Sequence, residues 1–159
     1  MTGRFRGFLA AGVAVLGLAA AAPVLAADWA WSLPGHVPEP RVPADNPMSA
    51  VKVELGRRLF YDTRLSGNGT IACASCHIQA KAFTDGRALS PGSTGGLTHR
   101  NAQPLANSAW NATYTWANPA LVSLERQMEV PLFGDDPVEM GVTDANRAAI
   151  LERLRADPV

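Results

Sequence analysis

Residues 70–77 read Thr70-Ile71-Ala72-Cys73-Ala74-Ser75-Cys76-His77, and they hold both cysteines of a 159-residue chain. Cys73 and Cys76 stand three apart, so a single helical turn presents both thiols on one side. The imidazole of His77 follows at once and reaches the same side. Four chemistries compete for this C-x-x-C-H spacing. A thioredoxin-type pair expects a βαβ pattern around it, and no strand pattern is present. A structural zinc site needs four ligands, and the chain has no second C-x-x-C. A plain disulfide leaves His77 without a role. Covalent c-type haem uses all three residues: each thiol forms a thioether to a vinyl edge, and the histidine becomes the proximal iron ligand.

The N-terminus places the motif in a compartment. Arg4 and Arg6 precede an apolar run from Phe8 to Leu18, then alanines, then Val24-Leu25-Ala26. This is the pattern of a secretory signal peptide over residues 1–26, and Pro23 with the alanine-rich cleavage region argues against an uncleaved anchor. No later apolar run is long enough to span a membrane. The expected location is periplasmic, with no stable membrane anchor after cleavage. The full chain has 14 basic and 14 acidic groups, so losing the two arginines leaves the mature chain slightly acidic. That balance gives no electrostatic footprint for nucleic acid. With 47% hydrophobic residues the chain is too apolar to be disordered. Export also means an oxidising environment, where haem attachment explains two cysteines that form no scaffold.

Outward from the motif, the chain reads as all-α, with short helices and long loops. Residues 27–46 form a proline-rich extended segment carrying Pro34, Pro38, Pro40 and Pro43, with Trp29 and Trp31 packing on the domain. Residues 47–142 read as the haem domain. Asn46-Pro47 predicts a helix start, and Val51, Leu55 and Leu59 predict one buried face as far as Tyr61. A short helix is expected over Cys73–Ala80, another over Pro104–Trp110, and a longer one over Pro119–Val130 that Pro131 ends. Residues 85–98 are loop. Residues 143–159 predict a final helix capped by Thr143, with Ile150, Leu151 and Leu154 on one face. Such helices make a small core, and a haem would supply the rest.

Function turns on what faces His77 across the iron. An electron carrier closes the iron with a second strong ligand, whereas a peroxidase leaves that face open and lines it with acid–base groups. Met140 is the first candidate to close it, with Met128, His99 and His36 behind. His77/Met140 ligation defines the alternative reading, a mono-haem cytochrome c electron carrier. On the open-site side stand Glu139 as a proton relay, Gln127 as a hydrogen-bond donor to bound oxygen and Trp116 as an electron relay. Each also has a plainer reading: a surface glutamate, an exposed helix glutamine, a core tryptophan.

Several segments together resemble the bacterial di-haem cytochrome c peroxidase and MauG-like family. They are Leu55-Gly56-Arg57-Arg58-Leu59-Phe60-Tyr61-Asp62, Leu65-Ser66, Cys73 to His77, Ala82-Phe83-Thr84-Asp85-Gly86, Arg100-Asn101, Leu124-Glu125-Arg126-Gln127 and Glu139-Met140-Gly141. The resemblance implies a cytochrome c-like fold and a two-domain periplasmic enzyme with one c-haem per domain. It implies that the haem at Cys73, Cys76 and His77 meets hydrogen peroxide, and that an electron-donor protein or a protein substrate is the partner. Trp116 matches the tryptophan between the haems, Gln127 and Glu139 the distal-pocket pair, and Asn101 an asparagine that helps hold calcium between the domains. The sequence departs from the family where Thr115-Trp116-Ala117-Asn118-Pro119 replaces its usual F-W-D-G-R. It also departs where Ser93 or its neighbours stand in place of a distal histidine. Residues 42–47, 115–119 and 131–134 are similar to the methanobactin-associated di-haem branch, which oxidises a tryptophan on a partner protein. A second C-x-x-C-H is missing, so the chain is expected to be an N-terminal portion of a two-haem protein, peroxide-reactive but without full turnover.

Overall fold

The computed structural model describes residues 29–157. The signal peptide expected over residues 1–26 lies outside the described residues, as do Pro158 and Val159. The described residues form four α-helices and three 3-10 turns, with isolated β-bridges and no named strand. This is the all-α, loop-rich architecture expected of a chain without a period-two pattern.

Helix α1 runs over Ala50–Tyr61. Ser49 is extended, and its Oγ accepts from the Lys52 N–H at 3.2 Å, so Ser49 is the cap rather than Asn46. Asn46 is engaged elsewhere: its N–H donates to the Pro43 carbonyl, and its side chain bonds Lys52 Nζ and Glu125. The predicted buried face is also corrected. Val51 and Leu55 are exposed, while Leu59 and Phe60 are half-buried. The apolar contacts of α1 gather at its C-terminal end, where Phe60 meets the Phe83 ring edge-on at 6.1 Å.

The buried centre lies at the other end of the chain. Met140, Val142 and Ile150 form it, flanked by Leu65, Ile71, Leu132 and Leu154. Helix α4 is Arg147–Arg155 and lies on the Thr63–Leu65 turn. Arg153 Nη2 donates to the carbonyls of Arg64 and Ser66, both at 3.1 Å, and the Arg64 guanidinium bridges Asp62 and Asp157. Thr143 does not cap α4 with its side chain. Its carbonyl accepts from the Arg147 N–H at 2.9 Å, and the helix begins there. Leu151 is exposed, because only Ile150 and Leu154, four apart, share the inward face.

Three other boundaries differ from expectation. The single turn α2, Cys73–Cys76, stops before Ala80 because His77 leaves helical geometry (φ −111°, ψ 70°) and the Ile78 N–H turns to the Thr84 carbonyl. Only Ser108–Trp110 of the Pro104–Trp110 stretch is helical, since Asn107 is left-handed at φ 59°. Helix α3 covers Leu124–Phe133 and begins where the Ser123 Oγ accepts from Arg126 N–H. Pro131 sits inside it rather than ending it. The helix survives because the Gly134 N–H reaches Val130 O at 2.9 Å. The prolines keep residues 29–46 free of helix, but turns at residues 34–37 and 43–46 interrupt the expected extended run. Trp110 Nε1 pins the segment by donating to Pro38 O at 2.9 Å.

One strip of backbone ties these parts together. Met140 N–H donates to Pro131 O at 2.9 Å, and Val142 N–H donates to Leu132 O at 3.0 Å. From the other side, the Gly67 and Ser93 N–H groups donate to Met140 O and Glu139 O, each at 2.7 Å. The approach requires glycine: a Cβ on Gly92 would lie 1.9 Å from Val138 O. Gly92→Ala should therefore cost about 1–3 kcal/mol of stability or more. Gly35→Ala, where a Cβ meets nothing within 4 Å, should change it by less than about 0.5 kcal/mol. Urea unfolding followed by tryptophan fluorescence checks the pair, and equal losses at both positions would contradict the clamp.

Candidate functional site

The site is built on α2 and the loop behind it. Ser75 Oγ accepts from the Ala72 N–H at 3.0 Å, and the His77 N–H closes the turn on Cys73 O at 2.9 Å. Cys73 and Cys76 are both free and half-buried. The chain then folds back through left-handed Ala82 and Phe83 (φ 54° and 61°). This brings the Phe83 carbonyl to 2.8 Å from His77 Nδ1. A carbonyl only accepts, so Nδ1 carries the proton and Nε2 keeps its lone pair for a metal.

Glu139 joins this cluster. Burial pushes its carboxyl above the usual carboxylate range, and the nearby His77 partly offsets the rise. Burial also raises both thiols. Glu139 adds to the rise at Cys73, and Asp85 and Glu139 add to it at Cys76. Two thiols, an imidazole and a half-buried carboxyl therefore share one electrostatic neighbourhood. The backbone strip at residues 138–142 fixes the carboxyl from behind.

The other expected residues differ in exposure and partners. Gln127 is half-buried on α3. Trp116 is half-exposed, and the Arg100 guanidinium stands 5.0 Å above its ring. Asn101 is exposed, and its amide donates to Ala102 O at 3.4 Å. Among the described residues no three His, Cys, Asp or Glu side chains gather as a metal cluster. Met140 is a core residue whose side chain packs with Val142 and Ile150. Met128 and His36 are exposed, and His99 pairs with Asp136 at 3.0 Å.

The family profile of the di-haem cytochrome c peroxidases matches residues 50–159. The chain belongs to the di-haem cytochrome c peroxidase family. Cytochrome-c peroxidase IdrP1 of Denitromonas iodatirespirans is 40% identical over 147 residues, covering 92% of this chain and 37% of that protein. The methylamine utilization protein MauG of Methylorubrum extorquens is 34% identical over 125 residues, covering 79% of this chain and 33% of that protein. In three dimensions the chain is similar to a MauG-like protein associated with microbial copper homeostasis. That match has a TM-score of 0.79 and 65% identity, covering 82% of this chain and 37% of the other. The chain thus spans about a third of the length of the relatives it matches. Di-haem c-type cytochromes carry haem, and the C-x-x-C-H turn is this chain's one cluster of that chemistry among the described residues.

Three contacts of the site are encoded in no local pattern, although Arg100 and Asp85 lie in the family-like segments and Ser93 in the place of the distal histidine. They are the Ser93 clamp on Glu139, Arg100 over Trp116, and the buried Asp85 beside Cys76. Gly92 next to Ser93 was the available signal for the first. The departure at residues 115–119 carries a conformational cost. Thr115, Trp116 and Ala117 are all left-handed, at φ 48°, 56° and 62°. Left-handed geometry costs a non-glycine residue about 1–2 kcal/mol. Ala117→Gly should therefore raise the unfolding free energy by about 1 kcal/mol. A urea midpoint that falls instead would show that the left-handed turn is not intrinsic to this segment.

Proposed function

We propose that the chain is the peroxide-reactive haem domain of an exported two-haem oxidoreductase, with a cytochrome c-like fold. The observation that carries this reading is the half-buried Glu139 carboxyl within electrostatic reach of Cys73, Cys76 and His77. The donor set fits a c-type haem. The two thiols lie on one helical turn for thioether bonds, and His77 Nε2 is left free by the Nδ1 contact to Phe83 O. A bound haem supplies the iron at which peroxide is reduced and the path by which electrons arrive.

The residues of the chain do the rest. With haem bound to supply the two electrons that break the O–O bond, the Glu139 carboxylate would take the proton from one peroxide oxygen and return it to the other, which could then leave as water. The Gln127 amide would donate a hydrogen bond to the peroxide and orient it. Trp116 passes electrons from the second haem domain of a longer protein, with Arg100 fixing the plane of its ring. Asn101 contributes to a calcium site between the domains, and the electrons come from a donor protein or a protein substrate. The signal peptide sends the protein to the periplasm, and no described helix is long and apolar enough to cross a membrane. The likeness to the MauG-like protein associated with copper homeostasis supports a role in that physiology.

Only ionised Glu139 accepts a proton, and burial holds its carboxyl above the ordinary range. The rate of reaction with peroxide should therefore fall as pH drops through that raised value. Glu139→Gln should abolish this acid limb and slow the reaction by about 10²–10⁴-fold. The raised value also means that the folded state binds the carboxyl proton more tightly than the unfolded one. Its contribution to stability is present at low pH and lost as pH rises through the folded value, a slope that Glu139→Gln removes. Stopped-flow pH profiles of both proteins check the reading. An acid limb that persists in the variant would assign the proton transfer to another group.

A further inference from the structure

Asp85 is a buried carboxylate that the proposed mechanism leaves without a role. Its side chain is 4% exposed and that of Ser90 is 2% exposed. Oδ1 accepts from the Arg87 N–H at 2.9 Å. Neither Oδ2 nor the Ser90 hydroxyl has a partner at full hydrogen-bond geometry, but the hydroxyl lies close enough to the carboxylate to stabilise its charge. A carboxylate this deep is costly unless a positive charge compensates it.

Arg87 supplies part of that charge, and the location points to a second source at the haem. Residues 83–85 continue the strand of loop that fixes His77, through Phe83 O on Nδ1 and Thr84 O on the Ile78 N–H. Ser90 precedes Pro91, whose carbonyl stands 3.9 Å from Cys76 Sγ. Asp85 and Ser90 thus flank the Cys76 edge of the site. Burial works against ionisation of Asp85. The Arg87 N–H, the Ser90 hydroxyl and the Arg87 charge outweigh it, and the carboxyl is held below the usual range. The group stays anionic.

We propose that Asp85 is the buried anion that holds the haem iron oxidised. The inference rests on haem attachment at Cys73, Cys76 and His77. Iron(III) with a porphyrin dianion carries one net positive charge at the ring centre, and iron(II) carries none. A fixed anion at the haem edge therefore favours iron(III) and opposes the uptake of one electron from the donor. Asp85 is a positioning residue for charge: it touches neither peroxide nor the proton in transit. Its effect is to keep the iron in the state that meets peroxide.

The test is a spectroelectrochemical titration of the haem-loaded chain in four forms: wild type, Asp85→Asn, Asp85→Ser and Asp85→Glu. Both neutral variants keep an acceptor for the Arg87 N–H, so either one that loads haem suffices. At fixed poise their iron(II) to iron(III) ratio should rise about tenfold, which is about 59 mV for one electron. Asp85→Glu keeps the charge and should stay within about twofold of wild type. A neutral variant that loads haem with an unmoved potential would overturn the proposal. So would a shift in Asp85→Glu as large as in the neutral forms, which would make the residue structural. Loss of haem from both neutral variants, with Asp85→Glu loading normally, would assign the carboxylate to assembly instead. A wild-type chain whose mass shows no covalent haem would overturn the attachment reading itself, and this inference with it.

Discussion

The structure depends on a short run of backbone, residues 138–142, gripped from two sides. The end of α3 accepts hydrogen bonds from Met140 and Val142, while Gly67 and Ser93 donate to Met140 and Glu139. The strip bends at Glu139 and Met140 and turns left-handed at Gly141, φ 68°. It carries Met140 into the core with Val142 and Ile150, and brings Glu139 within electrostatic reach of the cysteine–histidine turn. Core and candidate site are two faces of one constraint. A glycine at position 92 permits it, because any Cβ there would displace the Val138 carbonyl.

The constraint also divides the roles that neighbouring residues can take. Met140 had the right chemistry to close the iron, and Glu139 the right chemistry to keep it open and work on peroxide. They are adjacent in sequence, so the strip's orientation decides between them. Met140 is taken up by packing with Val142 and Ile150 in the core. Membership of the di-haem peroxidase family agrees with that choice. Apolar residues such as Val51, Leu55, Val122 and Met128 remain on the surface. The described residues bury few of their own apolar side chains, as expected of a domain organised around a large flat cofactor.

Much of this was legible in the sequence for identifiable reasons. The C-x-x-C-H spacing is a rigid chemical template, so it carried the cofactor without any knowledge of the fold. Glu139-Met140-Gly141 and Leu124-Glu125-Arg126-Gln127 carried the family. Local signals were weaker guides. Asn46-Pro47 looks like a helix start, but Asn46 is taken by Lys52 and Glu125, and Ser49 caps α1 instead. Pro131 looks like a stop, but later residues accept the role of tying down the end of α3. Leu151 looks like core beside Ile150, yet one residue is about 100° of helix turn and carries it to solvent. Ser93, Arg100 and Asp85 are visible in sequence only as family positions, because their contacts are long-range approaches that no local pattern encodes.

The central claim is that one strip of backbone buries Met140 and leaves the face opposite His77 open beside Glu139. The ferric spectrum of the haem-loaded chain tests it most directly, by electronic absorption and electron paramagnetic resonance. The account predicts high-spin iron with His77 as the protein ligand, unchanged by Met140→Leu. A low-spin spectrum with a methionine–iron charge-transfer band, lost in Met140→Leu, would contradict it.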